Sequence, residues 1–370
     1  MEKKLNIFFS NSISSNKWGG GEKWMVTAAK GLKDRGHNVL VSGKDKSIFL
    51  SNAQSKGLGI VPLNFFEDYS PFKIWHIKKI LIQEKVDVIL LNLKKDIRVA
   101  GIAARKAKVP VIIARNGIQH FRNIWKHKKT VDLVDGIITN TKSIRNVYNQ
   151  FPWMDEKKTK VIYNGLKMKS AIEPFNIHDI WNIPKNHIVF VAAGRLTIQK
   201  GFDLLIQAVS QIKDTVIPFT VLIAGTGKDR KSLEYLIAKK GLIGTVKLIG
   251  FQNQLSRVIL AADYVIMPSR REGMPNVAME SMALGKPVFA SNVNGMSELI
   301  QHRQSGYIMR ELTVDGIAKA INFGIENHGS EEIKNWGIAA KQVVSNQFTL
   351  DRMLDQLEFY FYRQINQSYR

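Results

Sequence analysis

The feature that most constrains the fold is an alternation of short apolar segments with longer amphipathic ones, which occurs twice along the chain. The short segments are rich in Val, Ile and Leu, and the longer ones carry apolar residues at helical spacing. Buried parallel strands have such continuous apolar sequences, and helices alternate with them along the chain. The pattern therefore predicts two doubly wound α/β domains. Strands are predicted at 5–10, 38–42, 86–91, 109–114 and 136–140 and then at 187–193, 219–224, 246–249, 264–267 and 288–290; helices are predicted at 22–35, 71–84 and 97–107 and then at 201–213, 230–240, 255–262 and 277–284.

The length of 370 residues also favours two domains, because a single core rarely grows beyond about 250–300 residues. The first series ends at Tyr163-Asn164-Gly165, and a less regular stretch follows. We predict an N-terminal domain at 1–165, rejoined by a helix at 350–370, and a C-terminal domain at 166–349. Ligands bind at the carboxyl ends of parallel strands, so a cleft between facing domains is the expected site.

Cysteine content and apolar segments limit the cellular setting. The chain contains no cysteine, which excludes a disulfide framework and thiolate chemistry. The first ten residues carry two lysines and a short apolar run at 5–9, which predicts a buried strand rather than a signal peptide. The sequence lacks a run of about 18 apolar residues, the length that spans a bilayer. We therefore expect a cytoplasmic protein.

Positive charge is concentrated in the first half of the chain. The 54 Lys and Arg residues exceed the 31 Asp and Glu residues, which gives a formal net charge of +23. Residues 1–165 hold 30 basic and 13 acidic residues, or +17, whereas residues 166–370 contribute +6. This asymmetry indicates an anionic partner, either anionic lipid or nucleic acid. The alternative is a basic surface that serves only solubility.

Two stretches in this half combine basic and aromatic residues. Residues 71–81 are predicted to form a basic amphipathic helix that includes Trp75, and residues 120–129 interleave Phe121 and Trp125 with Lys and Arg. Such stretches suit an anionic membrane surface, although the first also suits a core-packed helix with its lysines in water. We predict peripheral binding at the inner face of the cytoplasmic membrane.

A glycine-rich loop separates the first predicted strand from the first helix. Gly19, Gly20 and Gly21 lie between Trp18 and Glu22. Glycine lets the backbone approach a ligand closely, and the N–H groups at a helix N-terminus attract anions. The spacing differs from the G-x-G-x-x-G of dinucleotide binders. The loop is therefore either an anion-binding turn or a flexible connection.

Two motifs of the second half have the residue types that a nucleotide-sugar site requires. Arg195 and Lys200 follow a predicted strand and are two cations suited to the charge of a leaving diphosphate. Glu272 and Glu280 flank the start of a predicted helix. One turn thus offers carboxylates for hydroxyl groups and free N–H groups for phosphate oxygens. Surface cations and a capping carboxylate are the alternative.

Further motifs accompany these along the chain. In the first half they are Gly19-Gly20-Gly21-Glu22, Arg35-Gly36-His37-Asn38-Val39 and Tyr163-Asn164-Gly165; in the second they are Ala193-Gly194-Arg195-Leu196, Lys200-Gly201, Ile223-Ala224-Gly225-Thr226-Gly227, Ile249-Gly250-Phe251, 267–276, 280–287, 295–300 and Ser305-Gly306-Tyr307. With these residues the sequence resembles family 4 of the retaining glycosyltransferases, which have the two-domain GT-B fold. The likeness covers nearly the whole chain and is strongest from 187 to 308.

The resemblance implies an enzyme that moves a sugar from a nucleoside-diphosphate sugar, a UDP-sugar in particular, to a glycan or lipid-linked acceptor with retention of configuration. It implies a role in cell-surface polysaccharide or lipopolysaccharide synthesis and chemistry without a metal or other cofactor. It assigns the donor to the C-terminal domain and the acceptor to the N-terminal domain.

The resemblance also implies which residues bind the donor. The matching positions are Gly19 and Gly20 (phosphate and sugar), Arg195 and Lys200 (diphosphate), Gly250 and Phe251 (nucleobase), Glu272 with Gly273, Met274, Pro275, Asn276 and Val277 (sugar and phosphate), and Glu280 (ribose). Arg195, Lys200 and Glu272 are also catalytic candidates.

The sequence departs from the family at one position of the N-terminal domain. Many members carry a histidine just after the strand predicted here at 109–114, whereas this chain has Arg115 and Asn116 there, and its nearest histidine is His120. Either His120 is a catalytic residue or one of the other two takes a related role. An ordinary surface histidine is the alternative. The acceptor-side candidates are Lys94, Lys95, Asp96, Arg115 and Asn116.

Other functions of this architecture remain as alternatives. A nucleotide-sugar epimerase would need acid–base pairs of different spacing, and a pyridoxal-type phosphorylase would need a Schiff-base lysine. A basic nucleic-acid-binding protein fits the charge, but the paired glutamates would repel a phosphate backbone, so no nucleic-acid partner is predicted. The N-terminal half offers no well-placed carboxylate nucleophile, which favours front-face displacement over double displacement.

Overall fold

A computed structural model gives the architecture of the chain. It divides the chain into two compact units, called unit 1 and unit 2 below. Unit 1 comprises Met1–Gly165 with Leu350–Arg370, and unit 2 comprises Leu166–Thr349. The structure describes residues 3–63, 70–168, 172–212 and 217–368.

Unit 1 is built on a parallel sheet of seven strands. They are β1 (Asn6–Asn11), β2 (Asn38–Gly43), β3 (Gly59–Pro62), β4 (Val88–Leu91), β5 (Val111–Asn116), β6 (Gly136–Thr139) and β7 (Thr159–Val161). Their order across the sheet is β3-β2-β1-β4-β5-β6-β7. The register places Ile7 opposite both Val39 and Val88, and all three side chains are buried because helices cover the sheet.

The connections between these strands are mostly helical. A π-helical turn at Ile97–Gly101 joins two of the helices into one continuous stretch. The helices are α1 (Gly20–Asp34), α2 (Ile48–Ser55), α3 (Pro71–Gln83), α4 (Lys94–Asp96), α5 (Ile102–Lys106), α6 (Trp125–Val131) and α7 (Lys142–Asn149), with a 3-10 turn at Glu156–Lys158.

Unit 2 repeats the plan with a six-stranded parallel sheet. Its strands are β8 (Ile188–Ala193), β9 (Phe219–Ala224), β10 (Val246–Gly250), β11 (Tyr264–Met267), β12 (Val288–Ser291) and β13 (Tyr307–Met309), in the order β10-β9-β8-β11-β12-β13. A buried aromatic group from Phe190, Tyr264, Phe289 and Trp336 fills one face of the sheet. Its helices are α8 (Ile177–Ile180), α9 (Phe202–Val209), α10 (Arg230–Lys239), α11 (Leu255–Ala261), α12 (Asn276–Ala283), α13 (Met296–Leu299), α14 (Val314–Glu326) and α15 (Glu331–Gln347), with a 3-10 turn at Ile198–Lys200.

The last helix, α16 (Leu350–Ser368), packs in unit 1. Leu354 lies so close to α1 that a Cβ atom on Gly31 would come within 2.5 Å of it. Polar contacts flank this apolar contact. The Arg35 guanidinium pairs with Glu358 and lies 2.7 Å from Asp355, and Glu358 also bonds Nε2 of His37 at 2.8 Å. The Arg-Gly-His segment therefore anchors α16 to unit 1.

The predicted fold class is confirmed, since both units contain parallel sheets with alternating strands and helices. Two predicted boundaries were wrong in an informative way. β5 continues to Asn116, and the helix predicted at 97–107 begins at Lys94. β5 ends in polar residues and the helix begins with polar residues, so a search for apolar runs does not find these two boundaries. The helix predicted at 201–213 ends at Val209, and residue 213 lies outside the described residues. Within the described ranges, no helix has both the length and the apolar composition needed to cross a membrane.

Candidate functional site

The strand order of unit 2 reverses direction between β8 and β11, and the loops after these two strands meet there. A doubly wound sheet binds its ligands at this switch point. Nζ of Lys200, from the loop after β8, lies 2.6 Å from Oε1 of Glu272, from the loop after β11. The Ser269 hydroxyl donates to the same oxygen at 2.7 Å. Glu272 is only 8 % exposed, so this carboxylate is held in place from two sides.

Close backbone packing brings the two loops together. Gly201 has a left-handed φ of +69°, and a Cβ there would lie 1.9 Å from the carbonyl oxygen of Pro268. Gly225 has φ +144°, and its Cβ would lie 1.9 Å from the carbonyl oxygen of Gly194. Other residues would force these loops apart. The glycines therefore allow Lys200 to reach Glu272.

An ion pair outside the switch point holds the loop that carries Glu272. Both guanidinium NH groups of Arg270 bond the two carboxylate oxygens of Asp203 at 2.7 Å. Burial raises the pKa of Asp203, but the hydrogen bonds and charge of Arg270 outweigh it, so the pKa lies below its ordinary value. The Asn294 amide also donates to the carbonyl oxygen of Glu272. Sequence analysis missed these supports, because nothing in the residue order links Asp203 or Asn294 to this loop.

The remaining donor-site candidates of unit 2 lie around α12 and β10. Gly273, Met274 and Pro275 are buried and lead into α12, whose first N–H groups receive no side-chain cap. Glu280 lies one turn into that helix and is partly exposed. The other candidates are Asn276 and Val277, partly exposed at the start of α12, Gly250 at the end of β10 with φ +70°, and Phe251, which is exposed.

Arg195 is not part of the contact between Lys200 and Glu272. Its side chain is exposed. Within the described residues, its guanidinium forms no hydrogen bond or ion pair, with these two residues or with others.

Unit 1 has a corresponding switch point between β1 and β4, beside the end of β5. Arg115, at the end of β5, is only 4 % exposed, and its guanidinium stacks on the Trp24 ring at 4.5 Å. It donates to the side-chain oxygen of Asn164 at 3.3 Å. Burial lowers the pKa of Arg115 to about 10, although the charge of Glu22 opposes this. Sequence analysis had given Trp24 no role, yet it shields this cation.

The glycine-rich loop lies against the same guanidinium. A Cβ atom on Gly21 would come within 3.6 Å of an Arg115 nitrogen. Gly19 precedes α1 as an extended residue without a side-chain cap, and Gly20 is the first residue of the helix. The backbone N–H groups of the first turn are therefore uncapped by any side chain.

The other acceptor-side candidates differ in their surroundings. Burial lowers the pKa of His120 to about 4, and the charges of Arg115 and Lys94 contribute, so its imidazole is neutral at pH 7. Asn116 is buried and donates to the Tyr148 hydroxyl at 3.3 Å, and the same hydroxyl accepts from the backbone N–H of His120 at 2.8 Å. The His120 side chain is partly exposed.

Asp96 is fully buried, whereas Lys95 beside it is partly exposed. The two carboxylate oxygens of Asp96 accept from the backbone N–H groups of Ser12 and Leu93 at 2.8 and 2.9 Å. Burial raises the pKa of Asp96 to about 6 against these hydrogen bonds. In this structure the carboxylate ties the end of β1 to the start of α4. Across the described residues, no group of three or more Asp, Glu and His side chains is arranged to hold a metal ion.

Two family models match consecutive parts of the chain. The model of Glycosyltransferase Family 4 matches residues 18–169, and the model of Glycosyl transferases group 1 matches residues 175–343. Together they span most of the sequence.

Curated relatives include glycosyltransferases from bacteria and an archaeon. An uncharacterized glycosyltransferase of Methanocaldococcus jannaschii is 32% identical over 53% of this chain, and the match spans 52% of that relative, about half its length. The UDP-Gal:alpha-D-GlcNAc-diphosphoundecaprenol alpha-1,3-galactosyltransferase of Escherichia coli is 27% identical over 66% of this chain and 67% of its own length. The lipopolysaccharide core biosynthesis glycosyltransferase LpsE of Rhizobium meliloti is 25% identical over 68% of this chain and 72% of its own.

Among solved structures, HepE of Anabaena in complex with UDP and glucose has a TM-score of 0.83 and 23% sequence identity. The superposition covers 97% of this chain and 100% of that chain. At this identity the likeness concerns the fold, which is that of the GT-B glycosyltransferases. The family models, the relatives and this fold agree with the resemblance of the sequence motifs. The chain therefore belongs to the family 4, group 1 glycosyltransferases.

Proposed function

We propose that this glycosyltransferase moves a sugar from a nucleoside-diphosphate sugar, a UDP-sugar, to a glycan or lipid-linked acceptor with retention of configuration. The observation that carries the proposal is the contact between Lys200 and Glu272 at the switch point of unit 2. A cation and an oriented carboxylate on adjacent loops can bind the two parts of such a donor, its diphosphate and its sugar. The ammonium group suits the diphosphate, and the carboxylate suits sugar hydroxyls.

The donor binds to unit 2 in this proposal. The first N–H groups of α12 face the phosphate oxygens, because a helix N-terminus without a side-chain cap attracts anions. Glu280 accepts hydrogen bonds from the ribose hydroxyls. Phe251, which is 69 % exposed, packs against the nucleobase. Gly19 and Gly20 offer the backbone N–H groups of the glycine-rich loop to a phosphate group.

The reaction proceeds by front-face displacement. The bond between the anomeric carbon and the diphosphate oxygen breaks while the bond to the acceptor oxygen forms on the same face of the sugar. The acceptor hydroxyl gives its proton to an oxygen of the leaving diphosphate. Lys200 and Arg195 stabilise the negative charge that develops on this group. Because two cations and backbone N–H groups serve the diphosphate, we expect no requirement for a divalent metal.

The acceptor binds to unit 1, which carries most of the positive charge. Arg115, Asn116, His120 and Lys94 are the side chains at the carboxyl edge of its sheet that serve this role. The relative from Escherichia coli is named for an acceptor linked to diphosphoundecaprenol. We propose by analogy an acceptor for cell-surface polysaccharide or lipopolysaccharide synthesis, used by a cytoplasmic enzyme bound peripherally at the inner membrane face.

Three measurements test this function. Thermal unfolding with a panel of nucleoside diphosphates and their sugars identifies the donor, and we expect uridine diphosphate to raise the unfolding temperature most. NMR of the product from the matching sugar nucleotide then gives the anomeric configuration, which should equal that of the donor. An inverted product, or stabilisation by no nucleotide, contradicts the proposal. Activity that is lost with a chelator and restored by Mg²⁺ or Mn²⁺ contradicts the metal-independent chemistry.

A further inference from the structure

A group of basic side chains lies beside the switch point of unit 1. Lys94 begins α4 directly after β4, and its Nζ lies 3.3 Å from Nε2 of His127 on α6. Arg122 and Lys126 precede this histidine along the chain, and Nδ1 of His127 accepts from the backbone N–H of Arg122 at 2.8 Å. Arg98 stands four residues after Lys94 on the same helical stretch. We call these five residues the Lys94 cluster.

Among the residues that the structure describes, none with a carboxylate forms an ion pair with Lys94, Arg122 or Lys126. Asp96 is nearby, but its carboxylate is buried and both of its oxygens accept from backbone N–H groups. Basic residues next to the cluster differ. Lys128 pairs with Asp132 at 3.1 Å, and Arg105 pairs with Asp135.

Burial and the mutual repulsion of the positive charges in the cluster lower the pKa values of Lys94 and His127. Burial lowers the pKa of Lys94, and the charges of Arg98, Arg122 and Lys126 lower it further. Burial also lowers the pKa of His127, with the charge of Lys94 as the next cause. The His127 ring is 8 % exposed and packs edge-on against Phe121. Like charges held together in this way destabilise the free protein, and a bound anion would relieve them.

We propose that the Lys94 cluster binds a phosphate or diphosphate group of the acceptor. The proposal rests on the proposed function, and it specifies the chemistry of the acceptor as a sugar joined to a phosphate or diphosphate. Neutral sugar hydroxyls would not require several cations, whereas a diphosphate carries multiple charges and oxygens for Lys and Arg donors. The cluster lies at the carboxyl end of β4, where the acceptor is expected to bind.

Inorganic pyrophosphate is the probe, titrated into the full-length protein by calorimetry in the presence of saturating uridine diphosphate. The nucleotide occupies the donor site, so any further binding reports on a second anion site. We expect pyrophosphate to bind and Lys94→Gln to weaken it about tenfold or more, since a charge-assisted hydrogen bond is worth about 1.5–3 kcal/mol. The affinity for uridine diphosphate should not change. Because the substitution removes repulsion, the variant should unfold at the same or a higher temperature than the parent.

Lys128→Gln is the matched control, because it removes one positive charge from the same region at a residue already paired with Asp132. It should leave the affinity for pyrophosphate within about twofold. Equal weakening by both variants, or unchanged binding to Lys94→Gln, overturns the site. Absence of pyrophosphate binding to the nucleotide-saturated protein also overturns it. A failure of uridine diphosphate itself to bind would instead count against the proposed donor function, and the pyrophosphate titration still decides the cluster.

A membrane headgroup is a second source of phosphate, and sedimentation with phosphatidylglycerol vesicles separates it from the acceptor. We expect Lys94→Gln to sediment like the parent and pyrophosphate not to release the protein from vesicles. Release by pyrophosphate together with reduced sedimentation of Lys94→Gln would assign the cluster to lipid and overturn the acceptor assignment.

Discussion

Nζ of Lys200 lies 2.6 Å from Oε1 of Glu272 although the two residues are 72 positions apart. The contact joins the loops after two adjacent strands of unit 2, and Ser269 orients the carboxylate from the other side. Both side chains are largely buried, and the pair neutralises their charges. In the proposed donor complex the lysine is beside the diphosphate and the glutamate is beside the sugar hydroxyl groups.

Lys200→Gln should lower kcat by about a hundredfold or more, because stabilisation of charge on the leaving group is lost in the transition state. It should also lower the free energy of unfolding by about 1–3 kcal/mol, since the buried Glu272 carboxylate loses a charged partner. Donor turnover and chemical denaturation measure the two effects.

Glu234→Gln is the control, because it removes a partner from the exposed pair between Arg230 and Glu234. Such pairs contribute less than about 1 kcal/mol, and activity should not change. Normal turnover by Lys200→Gln would show that the lysine does not serve the diphosphate.

Glu280→Ala should weaken the binding of uridine diphosphate by about tenfold or more, because one or two charged hydrogen bonds to ribose hydroxyls are lost. Calorimetry with the nucleotide measures the affinity. Glu326→Ala removes an exposed carboxylate at the end of another helix of unit 2 and serves as the control. If the two variants bind with the same affinity as the parent, Glu280 does not contact the ribose.

His120 should remain neutral down to about pH 4, where burial foremost and the charges of Arg115 and Lys94 place its pKa. NMR titration of its ring protons measures this pKa. The unfolded chain binds a proton on His120 near pH 6.5, whereas the folded chain binds it only near pH 4. Protonation therefore favours the unfolded chain, and the free energy of unfolding decreases as the pH falls from about 6.5 towards 4.

Arg115→Gln should raise the pKa of His120 while leaving it below the unperturbed value, because burial is the larger cause. Arg105→Gln removes a charge that is paired with Asp135 and should leave the titration of His120 unchanged. A His120 pKa that does not respond to Arg115→Gln would mean that the two groups are not coupled.

The sequence predicts the fold class well because buried parallel strands are continuous apolar runs, as at β8 and β11. It predicts less where an element is short: β3 and β13, with four and three residues, are not predicted. Two long helices, α14 and α15, are also not predicted, although their residues follow helical spacing. The 71–81 stretch illustrates a limit of a different kind. Ile74 and Ile77 are buried, as in a helix that packs on the core, whereas Phe72 and Trp75 are exposed; the membrane interpretation stays a prediction.

The sequence predicts part of the candidate site, but not the contacts that support it. Motif spacing singled out Lys200 and Glu272, and the structure brings them into contact. The supports of that contact come from distant parts of the chain. Asp203 reaches Arg270 across 67 positions, and Trp24 covers Arg115 from another element. Contacts of this kind depend on the three-dimensional packing of loops, which no local pattern encodes. Roles for these residues in catalysis stay predictions.

The exposed aromatic residues of α3 provide the most direct test of membrane binding. Phe72 is 74 % and Trp75 57 % exposed, and their rings lie 6.3 Å apart. Nζ of Lys79 lies 5.5 Å from the Trp75 ring. In the second basic stretch, Trp125 is also exposed and carries Lys129 at 3.6 Å. Aromatic rings beside lysines are suited to the interface of an anionic leaflet, where each basic residue contributes about 1 kcal/mol.

The double variant Trp75→Ala/Lys79→Gln should bind phosphatidylglycerol vesicles about tenfold more weakly than the parent in sedimentation at low salt. The control is Tyr235→Ala/Lys239→Gln, since Tyr235 on α10 of unit 2 is also exposed, at 67 %, and has a lysine four residues later whose Nζ lies 5.9 Å from its ring. It should sediment like the parent.

Binding of the protein to the vesicles should weaken as the Debye length falls from about 10 Å at 0.1 M salt to about 3 Å at 1 M. Equal sedimentation with neutral and anionic vesicles would contradict electrostatic docking, and binding that persists at 1 M salt would indicate hydrophobic insertion instead. If both double variants lose binding alike, the surface of α3 has no special part in it, and the charge of unit 1 acts only as a diffuse field.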